Sequence, residues 1–118
     1  MQAISADPGA VLWSLADPFP DVERRFAGLD GYKLIDACDV VLLTAPPDFR
    51  PPHLRAAAEA GRQVFAEKPM AVDAAGLRSV RDSVKIASDK KLSLVSEFCW
   101  RYSERMRAWR SRSTTASS

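Results

Sequence analysis

From Asp39 to Ser96 the spacing of apolar residues switches repeatedly between that of a strand and that of a helix, and few folds accommodate the alternation. Asp39-Val40-Val41-Leu42-Leu43-Thr44 is an unbroken β-rich apolar run, the pattern of a strand covered on both faces. Pro46 and Pro47 stop it. Pro51 and Pro52 stand where a helix begins, Leu54, Ala57 and Ala58 form one face, and Gly61 ends it as a left-handed cap. A second strand, Gln63 to Ala66, follows. Asp73 then caps a longer helix with Leu77, Val80, Val84 and Ala87 on one stripe. Leu92-Ser93-Leu94-Val95-Ser96 is a third strand. Strands separated by crossovers of roughly a dozen residues or more read as right-handed parallel βαβ units. The expected class is therefore α/β, a parallel sheet with flanking helices.

Outside this stretch the pattern is weaker. Val11 to Ala16 reads as another buried strand, ending at Asp17. Asp21 to Ala27 is a stub of helix or, around Arg25-Phe26, a very short strand; the sequence does not separate the two. Gly31 to Ala37 is expected to contain a helical turn. After Arg101 a short helix is expected from Ser103 to Arg110, and the small, polar tail SRSTTASS is expected to be disordered. The 118 residues suit one domain.

Bulk properties exclude some functions. A net charge of +2 is too small to argue for a nucleic-acid partner. No apolar run approaches the roughly 18 residues of a membrane span, and MQAISADPGA lacks the basic and apolar regions of a secretory signal. Cys38 and Cys99 lie far apart, which suits two buried thiols in a cytoplasmic protein better than a disulfide. His53 is the one histidine, so a metal site is not expected.

In an open parallel sheet, ligands bind beyond the carboxyl ends of the strands. Those ends carry Asp17, Thr44-Ala45-Pro46-Pro47, Glu67-Lys68-Pro69 and Glu97. Each also has an ordinary role. On spacing alone a solvated cation is the commoner role for Lys68, and Asp17 could open the Pro18–Pro20 turn. His53 in a first helical turn is more often structural. Trp13, Trp100 and Trp109 are expected to be packing residues, and Arg101, Arg105, Arg107, Arg110 and Arg112 a solvated basic stretch.

The segment LLTAPPDFRPPHLRAAAEAGRQVFAEKP resembles the Gfo/Idh/MocA oxidoreductases. The resemblance rests on a strand ending near proline, a helix with histidine, Ala-Gly, a strand, then Glu-Lys-Pro, and it runs from about Val11 to Tyr102. It implies a Rossmann-like dinucleotide-binding domain over residues 1–102, followed by a short basic helix and tail over 103–118. Members of this family pair such a domain with a substrate domain and move hydride between NAD(P) and a sugar or polyol. The resemblance implies that Lys68 is the lysine beside the nicotinamide and the reacting hydroxyl, and Glu67 the acid on the cofactor ribose. Pro69 would fix the turn that aims Lys68, with the bond before it a candidate for the cis form. Thr44, Pro46 and Pro47 would belong to the loop that passes the cofactor, and His53 matches a common family helix position. Asp17 matches the acid on the adenosine ribose, whose charge would repel a 2′-phosphate and favour NAD over NADP.

The departures matter as much. No GxGxxG occurs, and nothing before Val11 reads as a first strand. The stretch from Asp17 to Asp39 is short for the family, and Glu97 stands where glycine is common. The expectation is an incomplete, truncated cofactor domain with the first strand and Gly-rich loop missing. Little activity and weak or no NAD binding are expected of this chain alone, and a sugar or polyol substrate only of a complete enzyme. The alternative is a non-catalytic binding or assembly module that needs a partner chain or forms a homo-oligomer.

Overall fold

The structure is a computed structural model that describes residues 6–9, 11, 15–16, 25–26 and 34–115. Its elements in chain order are β1 (Leu15–Ala16), β2 (Arg25–Phe26), β3 (Val40–Leu43), α1 (Arg50–Glu59), β4 (Gln63–Ala66), α2 (Ala74–Asp89), β5 (Leu94–Ser96), α3 (Cys99–Tyr102) and α4 (Glu104–Thr115). β3, β4 and β5 form a parallel sheet in that order, with Val41 opposite Val64 and Val64 opposite Leu94. β1 and β2 form a separate parallel ladder, Leu15 with Arg25 and Ala16 with Phe26. The chain is an α/β protein with an incomplete Rossmann-like sheet. Residues 25–26 are thus strand, not helix, and residues 34–37 form the expected turn, of 3-10 type.

α1 and α2 are both stopped by the same backbone geometry. At the end of α1, Gly61 N–H bonds Ala58 O at 3.2 Å and Arg62 N–H bonds Ala57 O at 3.0 Å. This is the Schellman arrangement, which places the residue after the cap in the left-handed region. Gly61 has φ +74°, and a Cβ there would meet nothing within 4 Å, so conformation and not space requires glycine. α2 ends identically, with Lys91 N–H to Ser88 O and Leu92 N–H to Ala87 O, but its left-handed residue is Lys91, at φ 57°. Lys90 also reaches across, its Nζ donating to Ala58 O and Glu59 O, the last carbonyls of α1, where a cation is favoured. At the other end of α2, Asp73 is extended and its carboxylate accepts from Gly76 N–H, the expected cap.

α1 and α2 pack on each other and α1 on the sheet, around Ile35, Leu43, Leu54, Ala57, Val64, Ala66 and Val80. The inward line of α2 differs from the expected stripe. Val80, Ser83 and Ala87 are buried, whereas Leu77 and Val84 are 55% and 46% exposed. The reason is close approach. A Cβ on Gly76 would lie 3.1 Å from Pro51 Cγ, so small residues mark the contact. Ser83 is fully buried there, its hydroxyl bonded to Ser79 O at 2.7 Å.

Other expectations are corrected in the same way. Residues 40 to 43 alternate in burial instead of being covered on both faces: Val41 and Leu43 turn toward the helices, while Val40 and Leu42 are 53% and 45% exposed. Leu42 stands opposite Phe65, and Phe65 opposite Val95, so one sheet face is apolar and largely open. Among the described residues β3 pairs with β4 alone; β1 joins β2 instead. The C-terminal helix runs on to Thr115, through part of the tail expected to be disordered, because nothing in Ser111–Thr115 breaks it. Trp100 and Trp109 are exposed, not packed, and Trp13 lies outside the described residues. Cys38 is half-buried, donating to Ile35 O, but Cys99 is exposed on the short α3.

Candidate functional site

The sheet ladder continues one residue past β4 and β5. Glu67 N–H bonds Leu43 O at 3.0 Å and Glu97 N–H bonds Ala66 O at 2.8 Å. Two acids are thereby fixed at the carboxyl ends of adjacent strands. The Glu67 carboxyl, by hydrogen bonding first, then desolvation and its charge, raises the Glu97 carboxyl above its ordinary range. Lys68 follows, exposed, and the Lys68–Pro69 peptide is cis. Arg50, 5% exposed at the start of α1, donates from Nη1 to the Pro69 carbonyl.

On the β3 side, Thr44 is exposed directly after the strand, and Pro46 precedes a 3-10 turn over Pro47–Phe49. Phe49 N–H closes that turn onto Pro46 O at 3.1 Å. The pairing of Leu43 with Ala66 therefore brings Thr44, Pro46 and Pro47 to the same sheet edge as Glu67, Lys68 and Pro69. His53 stacks on Phe49, centroids 6.2 Å apart, and burial holds its imidazole below the ordinary range. It belongs to the helix packing beside the loop. Asp17 lies outside the described residues.

Arg50 was not among the residues that the sequence singled out. Arg50 sits among prolines, and nothing in the string separates a buried arginine from a solvated one. Glu97 stood out as a departure from glycine, but its pairing with Glu67 needed the register. A shallow cleft of about 540 Å³, lined by Asp48, Pro51, Arg55, Asp73 and Ser79 among others, opens between the first turns of α1 and α2. It includes none of Glu67, Lys68 or Glu97, and the strand ends carry more convergent chemistry. Among the described residues no group of acids, histidines and cysteines could hold a metal ion, and no helix is long and apolar enough to cross a membrane.

Residues 18–97 match the profile of the Gfo/Idh/MocA oxidoreductase family, described as an NAD-binding Rossmann fold. The chain belongs to this family. An inositol 2-dehydrogenase of Rhizobium meliloti (strain 1021) is 33% identical over 109 residues, covering 86% of this chain and 32% of the relative. Among solved structures, myo-inositol 2-dehydrogenase from Lactobacillus plantarum superposes with a TM-score of 0.82 at 21% identity, over 97% of this chain and 36% of that one. The scyllo-inositol dehydrogenase of Lactobacillus casei gives 0.70 at 20% identity, over 86% of this chain and 32% of that one. These two likenesses concern the fold. The chain thus spans about a third of the length of these Gfo/Idh/MocA relatives.

Proposed function

We propose that this chain supplies the nicotinamide side of the cofactor crevice in an NAD-dependent polyol or sugar dehydrogenase. The observation that carries the reading is the gathering of Thr44, Glu67, Lys68 and Pro69 on one sheet edge. Those residues fit that end of a dinucleotide: an acid for ribose hydroxyls, a cation for the reacting oxygen, and a proline-bordered loop against which the cofactor passes. The pyrophosphate end fits less well. It is ordinarily held by N–H groups of a Gly-rich turn at a helix N-terminus, and the sequence has no GxGxxG.

Bound nicotinamide would supply the hydride acceptor as an alcohol carbon is oxidised to a carbonyl. Lys68 orients the hydroxyl and stabilises negative charge developing on its oxygen. Glu67 holds the ribose, while Thr44, Pro46 and Pro47 border the cofactor. Pro69 shapes the turn, and His53 supports the loop by stacking on Phe49. Asp17, on the adenosine ribose, favours NAD over NADP. The names of the relatives point to an inositol-like substrate. Calorimetric titration with NADH tests the division of labour. The chain alone should bind only in the millimolar range, and micromolar affinity would contradict it. In a version restored with a Gly-rich unit and a substrate domain, Lys68→Met should lower turnover without unfolding the exposed site.

A second reading, an assembly module, is favoured by the open apolar face of Val40, Leu42, Phe65 and Val95. Gel filtration separates the two, since a module of this kind should dimerise or aggregate when alone.

A further inference from the structure

Arg50 is in the wrong place for a stabilising cation. Its residue is 95% buried by difference from its 5% exposure, and desolvating a guanidinium is costly. It also opens α1, and the positive end of a helix dipole disfavours a cation. Its Nε has no hydrogen-bond partner among the described residues. What it does make is one charge-assisted bond, from Nη1 to the carbonyl of Pro69.

That carbonyl sits where support is otherwise sparse. Glu67 is tied to Leu43 by the strand ladder, and Met70 packs against the core. Lys68 and Pro69 lie between these anchors, and Lys68 is exposed. Arg50 also directly follows the Pro47–Phe49 turn, so one side chain joins the β3 loop to the β4 turn.

We infer that Arg50 is a positioning residue for Lys68: its guanidinium clamps the Glu67–Met70 turn to the first turn of α1 and fixes the backbone from which Lys68 projects. The inference rests on the reading of Lys68 as the cation beside the reacting hydroxyl.

The test is 15N relaxation of the 118-residue chain and of Arg50→Met, Arg50→Gln and Arg50→Lys, with NADH added afterwards. In the parent, Glu67, Lys68 and Met70 amides should show order parameters of about 0.85. In Arg50→Met and Arg50→Gln they should fall toward about 0.6, with Val41, Val64 and Val80 unchanged. Arg50→Lys, which keeps a donor, should recover part of the loss. An unchanged turn, or a fall spread evenly through the sheet, would overturn the inference; if Arg50→Met does not fold, Arg50→Gln and Arg50→Lys decide it. If NADH shifts no resonance at Lys68 in the parent while the variants still loosen the turn, the cofactor reading fails and the clamp stands.

Discussion

Glu67 and Glu97 stand one residue past β4 and β5, each tied by its backbone N–H to the neighbouring strand, so both acids occupy the carboxyl edge of the sheet. The neighbouring Glu67 carboxyl, by hydrogen bonding first, then desolvation and its charge, raises the Glu97 carboxyl above its ordinary range and favours a proton there. The folded chain therefore binds this proton more tightly than the unfolded chain. Stability from the pair is present below the ordinary value of 4.5 and is lost as pH rises through the higher folded value. Glu97→Gln keeps a donor and removes the repulsion. Its thermal midpoint should exceed the parent's at pH 7, and the gap should close near pH 4. Equal midpoints at both pH values would refute the pairing.

The two Schellman ends make opposite predictions. Lys91 occupies a left-handed conformation that costs an L-residue roughly 1 kcal/mol, so Lys91→Gly should stabilise the chain by up to about that amount. Gly61→Ala should destabilise it by about 1 kcal/mol, because the conformation and not the open space is the obstacle. Urea melts of the two variants should move in opposite directions.

At Gly76, space is the obstacle. An added Cβ would stand 3.0 Å from the Asp73 carboxylate and 3.1 Å from both Ala71 Cβ and Pro51 Cγ. Alanine's helix propensity offers up to about 1 kcal/mol, but overpacking costs about 1–3 and weakens the Asp73 cap as well. Gly76→Ala should be destabilising by roughly 1 kcal/mol, measured by thermal melting. A rise in midpoint would show that α1 and α2 can separate freely.

These cases show what the sequence could reveal. Strand and helix order from Asp39 to Ser96, the Asp73 cap and the Gly61 stop were all legible, because each depends on local chemistry. The inward line of α2 was not. Periodicity favours the large residues Leu77 and Val84, whereas packing against α1 selected Gly76 and Ser83 for their size. Likewise the run Val40–Leu43 looks doubly covered, yet coverage depends on elements elsewhere in the chain. Of the candidate site, the placement of Glu67-Lys68-Pro69 and Thr44 at strand ends was legible as well. Arg50 was not, since its burial is a tertiary fact.

The open face gives a further prediction. Val40 and Leu42 are about half exposed on the sheet face away from the helices. Exposed apolar sheet promotes association. Leu42→Thr should reduce self-association in sedimentation experiments without unfolding the sheet, since threonine suits a half-exposed strand. Unchanged association would place the contact elsewhere.

We propose that the strand ends, not the cleft between α1 and α2, receive the nicotinamide end of the cofactor. Amide chemical shifts of the 15N-labelled chain, followed as NADH is raised into the millimolar range, test it most directly. Shifts should be concentrated at Thr44, Glu67, Lys68 and Met70, and much reduced in Lys68→Met. Shifts confined to Asp48, Arg55, Asp73 and Ser79, or none anywhere, would contradict it.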